Sequence, residues 1–129
     1  MVIKHFRLSQ PEKERLIRMK SRTGIQNWNI LCRWAFCWSL AEPSVPGGIA
    51  PKSDSNVEMD WTTFAGEYAD IYEALLRQRC IKDGVGDTDE TLIQYFRLHL
   101  NRGINHYSGK DVLKNCADLL RSALPKEEG

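Results

Sequence analysis

Among the 129 residues there is no Cys-x-x-Cys pair, no glycine-rich phosphate loop and no internal repeat. The four cysteines, Cys32, Cys37, Cys80 and Cys116, stand apart, and no secretory signal is expected. Reduced thiols and a cytoplasmic location are therefore expected. The most apolar stretch, Ile30 to Ala41, is broken by Arg33 and Ser39. As a helix it would reach about 18 Å, short of a hydrocarbon core of roughly 30 Å, so no membrane span is expected. His99 and His106 are too loosely spaced for paired zinc ligands. "DGVGDTDE" (83–90) lacks the ligand order of a calcium loop, and a turn explains it better. No metal and no other cofactor is expected. A nucleophile elbow and a carboxylate cluster for two-metal chemistry are missing as well, so no catalytic residue is named and a non-enzymatic role is expected.

What is present reads as a mainly α, small single-domain bundle of about five helices behind a short extended segment. A single domain over 1–124 is long enough for a hydrophobic core. In "VIKHFRLS", Val2, Phe6 and Leu8 alternate against Ile3, His5 and Arg7, as in a short strand. Ser9 with Glu12 forms a capping box, Pro11 fits the first turn and Gly24 the left-handed stop, which predicts a helix over Gln10–Thr23. Asn27 and Pro43 bracket a second over Trp28–Ala41. Residues 43–56, with three prolines and two glycines, form a loop. A third helix is expected over Trp61–Lys82, capped by Asp60, with Phe64, Tyr68, Ile71 and Leu75 inward and Tyr72 and Leu76 beside them. A fourth is expected over Thr88–Arg102, capped by Asp87 through Glu90 and stopped by Gly103, with Leu92, Ile93, Phe96 and Leu100 inward. The last should run from Lys110 to Ala123, burying Val112, Leu113, Cys116, Leu119 and Leu120, before a frayed tail at 125–129.

The net charge of +1 conceals an asymmetry. Residues 1–33 hold eight Lys or Arg and two acids, a net +6, while the remaining ten bases and fifteen acids sum to −5. An anionic partner is expected for the N-terminal part. On the first helix Arg15, Arg18 and Arg22 fall within about 60° of one another, with Lys13 and Lys20 on another flank. A solvated face with snorkelling lysines is the bland alternative. The cations are nearly unopposed, and Lys4, His5 and Arg7 extend the field. Lys4, Arg7, Lys13, Arg15, Arg18, Lys20 and Arg22 are thus candidates for binding a phosphate backbone, an interaction that carries affinity without sequence choice. Contact with about six phosphates would give a log K against log[salt] slope of roughly −5.

"NWNILCRWAFCWSL" (27–40) is apolar on every side, and a helix of that kind must be covered on every side. It can be the central helix of the bundle, or it can present one face to another copy of the chain. Large aromatics and few charges favour the second, with Trp28, Trp34, Phe36 and Trp38 at the interface. Helix copies gathered about a symmetry axis would bring their basic neighbours together on one surface. Arg33 needs a carboxylate or carbonyl partner. Cys32 and Cys37 read as structural, because apolar surroundings make thiols inert.

"LSQPEKERLIRMKSRTGIQNWNILCRWAFCWSLAEPS", "SNVEMDWTTFAGEYADIYEALLRQRC" and "FRLHLNRGI" together resemble the DndE family of bacterial DNA phosphorothioate (sulfur) modification, over roughly residues 6–107. The resemblance implies a cytoplasmic, helical, tetrameric accessory that binds double-stranded DNA, preferably nicked, through basic surface residues. It also implies partner proteins: a cysteine desulfurase, a sulfur-transferring ATP-pyrophosphatase-like enzyme and an ATPase. Carried onto this chain, the DNA-binding candidates are Lys13, Arg15, Arg18, Lys20 and Arg22, with the turn at Ser21–Gly24 near the centre of the assembly. No role follows for the residues after Ile104. Two other readings stand beside it. The order strand, helix, Thr-Gly turn, apolar helix is that of ribbon-helix-helix regulators, whose strands pair across a dimer and enter the major groove. An acidic C-terminal half could instead serve a protein–protein adaptor with no direct DNA role.

Overall fold

The structure is a computed structural model describing residues 3–110 and 112–124. Val2 and the tail 125–129, for which a strand face and fraying were expected, lie outside the described residues. The chain is mainly helical. β1 (His5–Arg7) pairs antiparallel with β2 (Glu58–Asp60), Phe6 opposite Met59. Leu8 N–H donates to Val57 O at 3.0 Å and Trp61 N–H to Lys4 O at 2.8 Å, which extends the ladder at both ends. The strand thus takes its partner from its own chain, and no second copy is needed to complete the ribbon, unlike the ribbon-helix-helix arrangement.

α1 (Gln10–Thr23) and α2 (Trp28–Ala41) have the bounds their caps predict. Glu12 N–H donates to Ser9 Oγ at 3.2 Å, and Ser9 N–H returns to Glu12 Oε1 at 2.8 Å. Gly24 closes α1 at φ +77°. Asn27 stands at the N-cap of α2 without a side-chain bond.

The third helix breaks in two. α3 covers Trp61–Ala65, a 3₁₀ turn follows at Gly66–Tyr68, and α4 covers Ala69–Lys82. The cause is Arg33, whose Nη2 donates to Thr63 O at 3.1 Å and whose Nε donates to Phe64 O. Those carbonyls would otherwise accept the N–H groups of residues 67 and 68. Gly66 absorbs the break at φ +60°. The interruption turns α4 on its axis: Leu76, Arg79 and Cys80 are buried, whereas Tyr68, Ile71 and Leu75, expected inward, are exposed.

α5 covers Asp89–Tyr107 and runs straight through Gly103. Thr88, not Asp87, is its cap, accepting from Thr91 N–H at 3.3 Å, while Asp87 meets Arg77 at 3.4 Å. Ile93 is exposed rather than inward. α6 covers only Cys116–Ala123, because Asn115 and Asp118 form a capping box that starts it late. Leu113 and Leu119 are buried as expected, but Cys116 and Leu120 are exposed.

α2 lies along α5 at the centre of the molecule. All four phenylalanines of the chain meet around Phe96, with ring centroids of Phe6, Phe36 and Phe64 at 4.9, 5.1 and 5.2 Å from it. Edge-on packing of this kind adds about 0.5–1.5 kcal/mol per pair beyond area burial.

Candidate nucleic-acid interface

The inward ridge of α1 is Glu12, Leu16, Met19 and Thr23, all buried. Glu12 is fully enclosed, and its Oε1 accepts from Arg97 Nη2 of α5 at 2.7 Å. The spacing that buries this ridge leaves Lys13 and Lys20 on one flank and Arg15, Arg18 and Arg22 on the other.

These cations differ in what they touch. Lys13 Nζ donates to Asn56 Oδ1 at 2.6 Å. Lys20 Nζ stands 3.4 Å above the Trp28 ring, a cation–π contact, and burial there lowers its pKa. Arg22 Nη1 donates to the carbonyls of Ser108 and Gly109 at 3.1 and 3.4 Å. Arg7 is tied to Glu58 at 2.8 Å and to Ser55 O at 3.1 Å, with His5 on the same carboxylate at 3.5 Å. Among the described residues no carboxylate pairs with Lys4, Lys13, Arg15, Arg18, Lys20 or Arg22. Arg77, Arg79, Arg97 and Arg121 by contrast each have at least one.

The four aromatics expected at an oligomer interface separate. Phe36 is fully enclosed by its own chain and has no surface to offer a second copy. Trp38 stacks on His106 at 3.7 Å with 5° between planes, and Trp28 lies under Lys20. Trp34 is half-buried and, with Ile30, Arg33, Cys37 and Tyr72, lines an open cavity of about 330 Å³. The exposed Ile71 and Leu75 also lie on α4, the helix that carries Tyr72. Helix α2 is therefore covered on most of its circumference and open along Trp34, Cys37 and Ala41.

The remaining reactive side chains are occupied. Burial, reinforced by Glu12, pushes the Cys32 thiol up to about 12. Cys37, expected to be enclosed like Cys32, is instead exposed, although partial burial still raises its pKa; its Sγ lies 3.9 Å from Tyr72 Oη. His99 is buried with Nδ1 2.8 Å from Ser39 Oγ, and burial, then Arg102 and Arg79, lowers its pKa to about 4. Arg79 Nη2 and Arg102 Nη1 converge on Ser44 O at 2.6 and 2.8 Å, fastening the loop that leaves α2. Among the described residues no three His, Cys, Asp or Glu side chains are grouped to hold a metal, and no helix is long and apolar enough to cross a membrane.

Sequence reasoning missed Arg97. Glu12 shares its helical face with Leu16 and Met19, a pattern that marks a carboxylate facing the core and in need of a buried cation.

The family model described as DndE, DNA sulphur modification protein DndE, matches residues 5–115. A crystal structure of DndE from Escherichia coli B7A, involved in DNA phosphorothioation modification, is 26% identical with a TM-score of 0.66. The match covers 81% of this chain and 97% of that one. A DndE double glycine-to-lysine mutant involved in DNA phosphorothioation shares the fold at 22% identity and a TM-score of 0.62, over 79% of this chain and 93% of that one. Comparison with curated proteins gives no match. With most of its length matched by one family model and its fold shared with solved members, the chain belongs to the DndE family of DNA sulphur modification proteins.

Proposed function

We propose that this protein is a non-catalytic, cytoplasmic accessory of DNA phosphorothioation that holds double-stranded DNA by its phosphate backbone through α1. The observation that carries the reading is the set of cations on and beside that helix, Lys4, Lys13, Arg15, Arg18 and Lys20, which have no carboxylate partner among the described residues. A surface built for solubility intersperses both signs, whereas α1 turns one of its two acids, Glu12, into the core. Arg7 and Arg22, engaged within the chain, contribute field more than contact. Copies of the chain assemble, as a tetramer, through the open stripe of α2 at Trp34 and the exposed Ile71 and Leu75 of α4. Trp28 and Trp38 lie at its margin. Assembly multiplies the cationic helices facing one duplex, favours a nicked site and leaves the acidic remainder to meet the other modification proteins.

The test is a gel shift and an anisotropy titration on intact and nicked duplex, with light scattering for mass. Arg15→Glu with Arg18→Glu abolishes DNA binding and leaves the oligomer mass unchanged. For the wild type, log K falls with log[salt] at a slope near −5 for about six phosphates. Unchanged DNA binding by the double variant, or a flat salt titration, transfers the role to a protein–protein adaptor.

A further inference from the structure

Arg22 shares the α1 flank of Arg15 and Arg18, yet it is spent on backbone. Its Nη1 reaches the carbonyls of Ser108 and Gly109 just beyond the end of α5. Carbonyls there have no partner within the helix, and the negative end of the helix dipole favours a cation. Arg22 thereby fastens the turn after α5 to the last turn of α1. The turn is held further by Gly109 N–H to His106 O at 3.1 Å and Val112 N–H to Gly109 O at 3.3 Å. α6, which follows it, packs against α1.

The side chain next to Gly109 is Lys110, and Lys114 follows four residues later; both are exposed. Neither has a carboxylate partner among the described residues. Asp118, at the start of α6, is taken by Arg121 at 2.6 Å and by Lys114 N–H at 2.8 Å. Over 109–115 the sequence places these two lysines against Asp111 alone.

We infer that Lys110 and Lys114 form a second set of DNA phosphate contacts, continuing the stripe of Arg15 and Arg18, and that Arg22 is the positioning residue that docks them. This rests on the proposed DNA binding. From Arg15 to Arg22 the helix rises about 10 Å, and the docked turn lengthens the stripe beyond it. Phosphates of one strand advance by about 3.4 Å along the duplex, so one or two further phosphates come within reach.

The experiment is a salt titration of fluorescence anisotropy with a labelled duplex. Lys110→Gln with Lys114→Gln weakens binding several-fold and makes the log–log slope shallower by about 1 to 2, at roughly 0.9 per phosphate lost. Lys82→Gln, an exposed lysine of α4, leaves the slope as in the wild type. Arg22→Ala weakens binding in the wild-type background and adds little in the double lysine variant, since a positioning residue loses its effect with the groups it positions. An unchanged slope for the double lysine variant overturns the inference, as does an equal loss from Lys82→Gln. Equal fold losses from Arg22→Ala in both backgrounds overturn its positioning role. The lysines are exposed, so their variants keep the fold and decide the matter even where Arg22→Ala destabilises the turn. Loss of binding in Arg15→Gln with Arg18→Gln, set against none in the lysine pair, refutes this inference alone. No loss in either pair refutes the DNA-binding reading itself.

Discussion

Replacing Gly103 by alanine sets two physical rules against each other. Alanine is the better helix former by about 1 kcal/mol, so intrinsic propensity predicts a more stable protein. Packing predicts the reverse. A Cβ at Gly103 would lie 1.8 Å from Ala35 O, 2.3 Å from Ala35 C and 2.7 Å from Ala35 Cα. Those are backbone atoms of α2, and no rotamer change moves them. Restoring ordinary contact at 3.4 Å requires α2 and α5 to separate locally by about 1.6 Å, in an interior packed as densely as an organic crystal. Overpacking usually costs about 1–3 kcal/mol, and an immovable obstacle places this site at the upper end. The net destabilisation is about 2 kcal/mol, a fall of roughly 8 °C in Tm for a domain of this size. Urea denaturation followed by far-ultraviolet circular dichroism measures it. Ala35→Gly does not rescue the variant, because the obstructing atoms remain. Gly24→Ala is the companion control: φ is +77° with open space around it, so its cost is the left-handed backbone alone, about 1 kcal/mol. A Gly103→Ala protein as stable as the wild type would refute the close crossing of α2 and α5.

Three further outcomes follow from buried groups. Arg97→Met leaves Glu12 buried without its cation and costs about 3–5 kcal/mol in chemical denaturation, whereas Glu12→Leu with Arg97→Met recovers that loss except for about 1 kcal/mol from the broken Ser9–Glu12 capping box. Equal losses in the two proteins would mean that the pair is not a pair. His99 is held neutral at a pKa near 4 while the unfolded chain titrates near 6.5. Its contribution is complete above pH 6.5 and is lost as pH falls toward 4, by about 3 kcal/mol, a dependence that His99→Gln flattens. Under native conditions a disulfide reagent modifies the exposed Cys116, and Cys32 and Cys80 react only on unfolding. Fast native labelling of Cys32 contradicts its burial.

How far the fold was legible is best judged from its glycines. At α1 and at the end of α2 the bounds follow from Ser9, Gly24 and Pro43, because each acts on chain neighbours, and Asn27 marks the start of α2 by position alone. The same local rule fails at Gly66 and Gly103. Gly66 falls inside the helix expected over Trp61–Lys82 and ends one, since an arginine about thirty residues earlier removes the carbonyls the helix needs. Gly103 has the position of a stop but lies inside α5, where its missing side chain admits the backbone of α2. Both outcomes depend on contacts with α2 that no window of neighbouring residues contains. The same limit applies to Phe36: a helix apolar on every side does not disclose which face is inward.

The cations of the candidate site were all visible in the sequence, but their availability was not. Arg7 and Arg22 find partners 48 to 87 residues away, and so leave the unpaired set that composition suggested. Glu12 moves the balance the other way. Buried against Arg97, it is neutralised where solvent and ligand do not reach, and Glu14 remains as the one outward acid of α1, against Lys13, Arg15, Arg18, Lys20 and Arg22. In the acidic remainder of the chain Arg77, Arg79 and Arg121 are matched by Glu73, Asp83 and Asp118. Pairing therefore cancels charge where acids are plentiful and preserves it on α1. Charges beyond a Debye length of about 8 Å are screened at physiological salt, so a phosphate approaching α1 responds to that local excess rather than to the chain's total of +1.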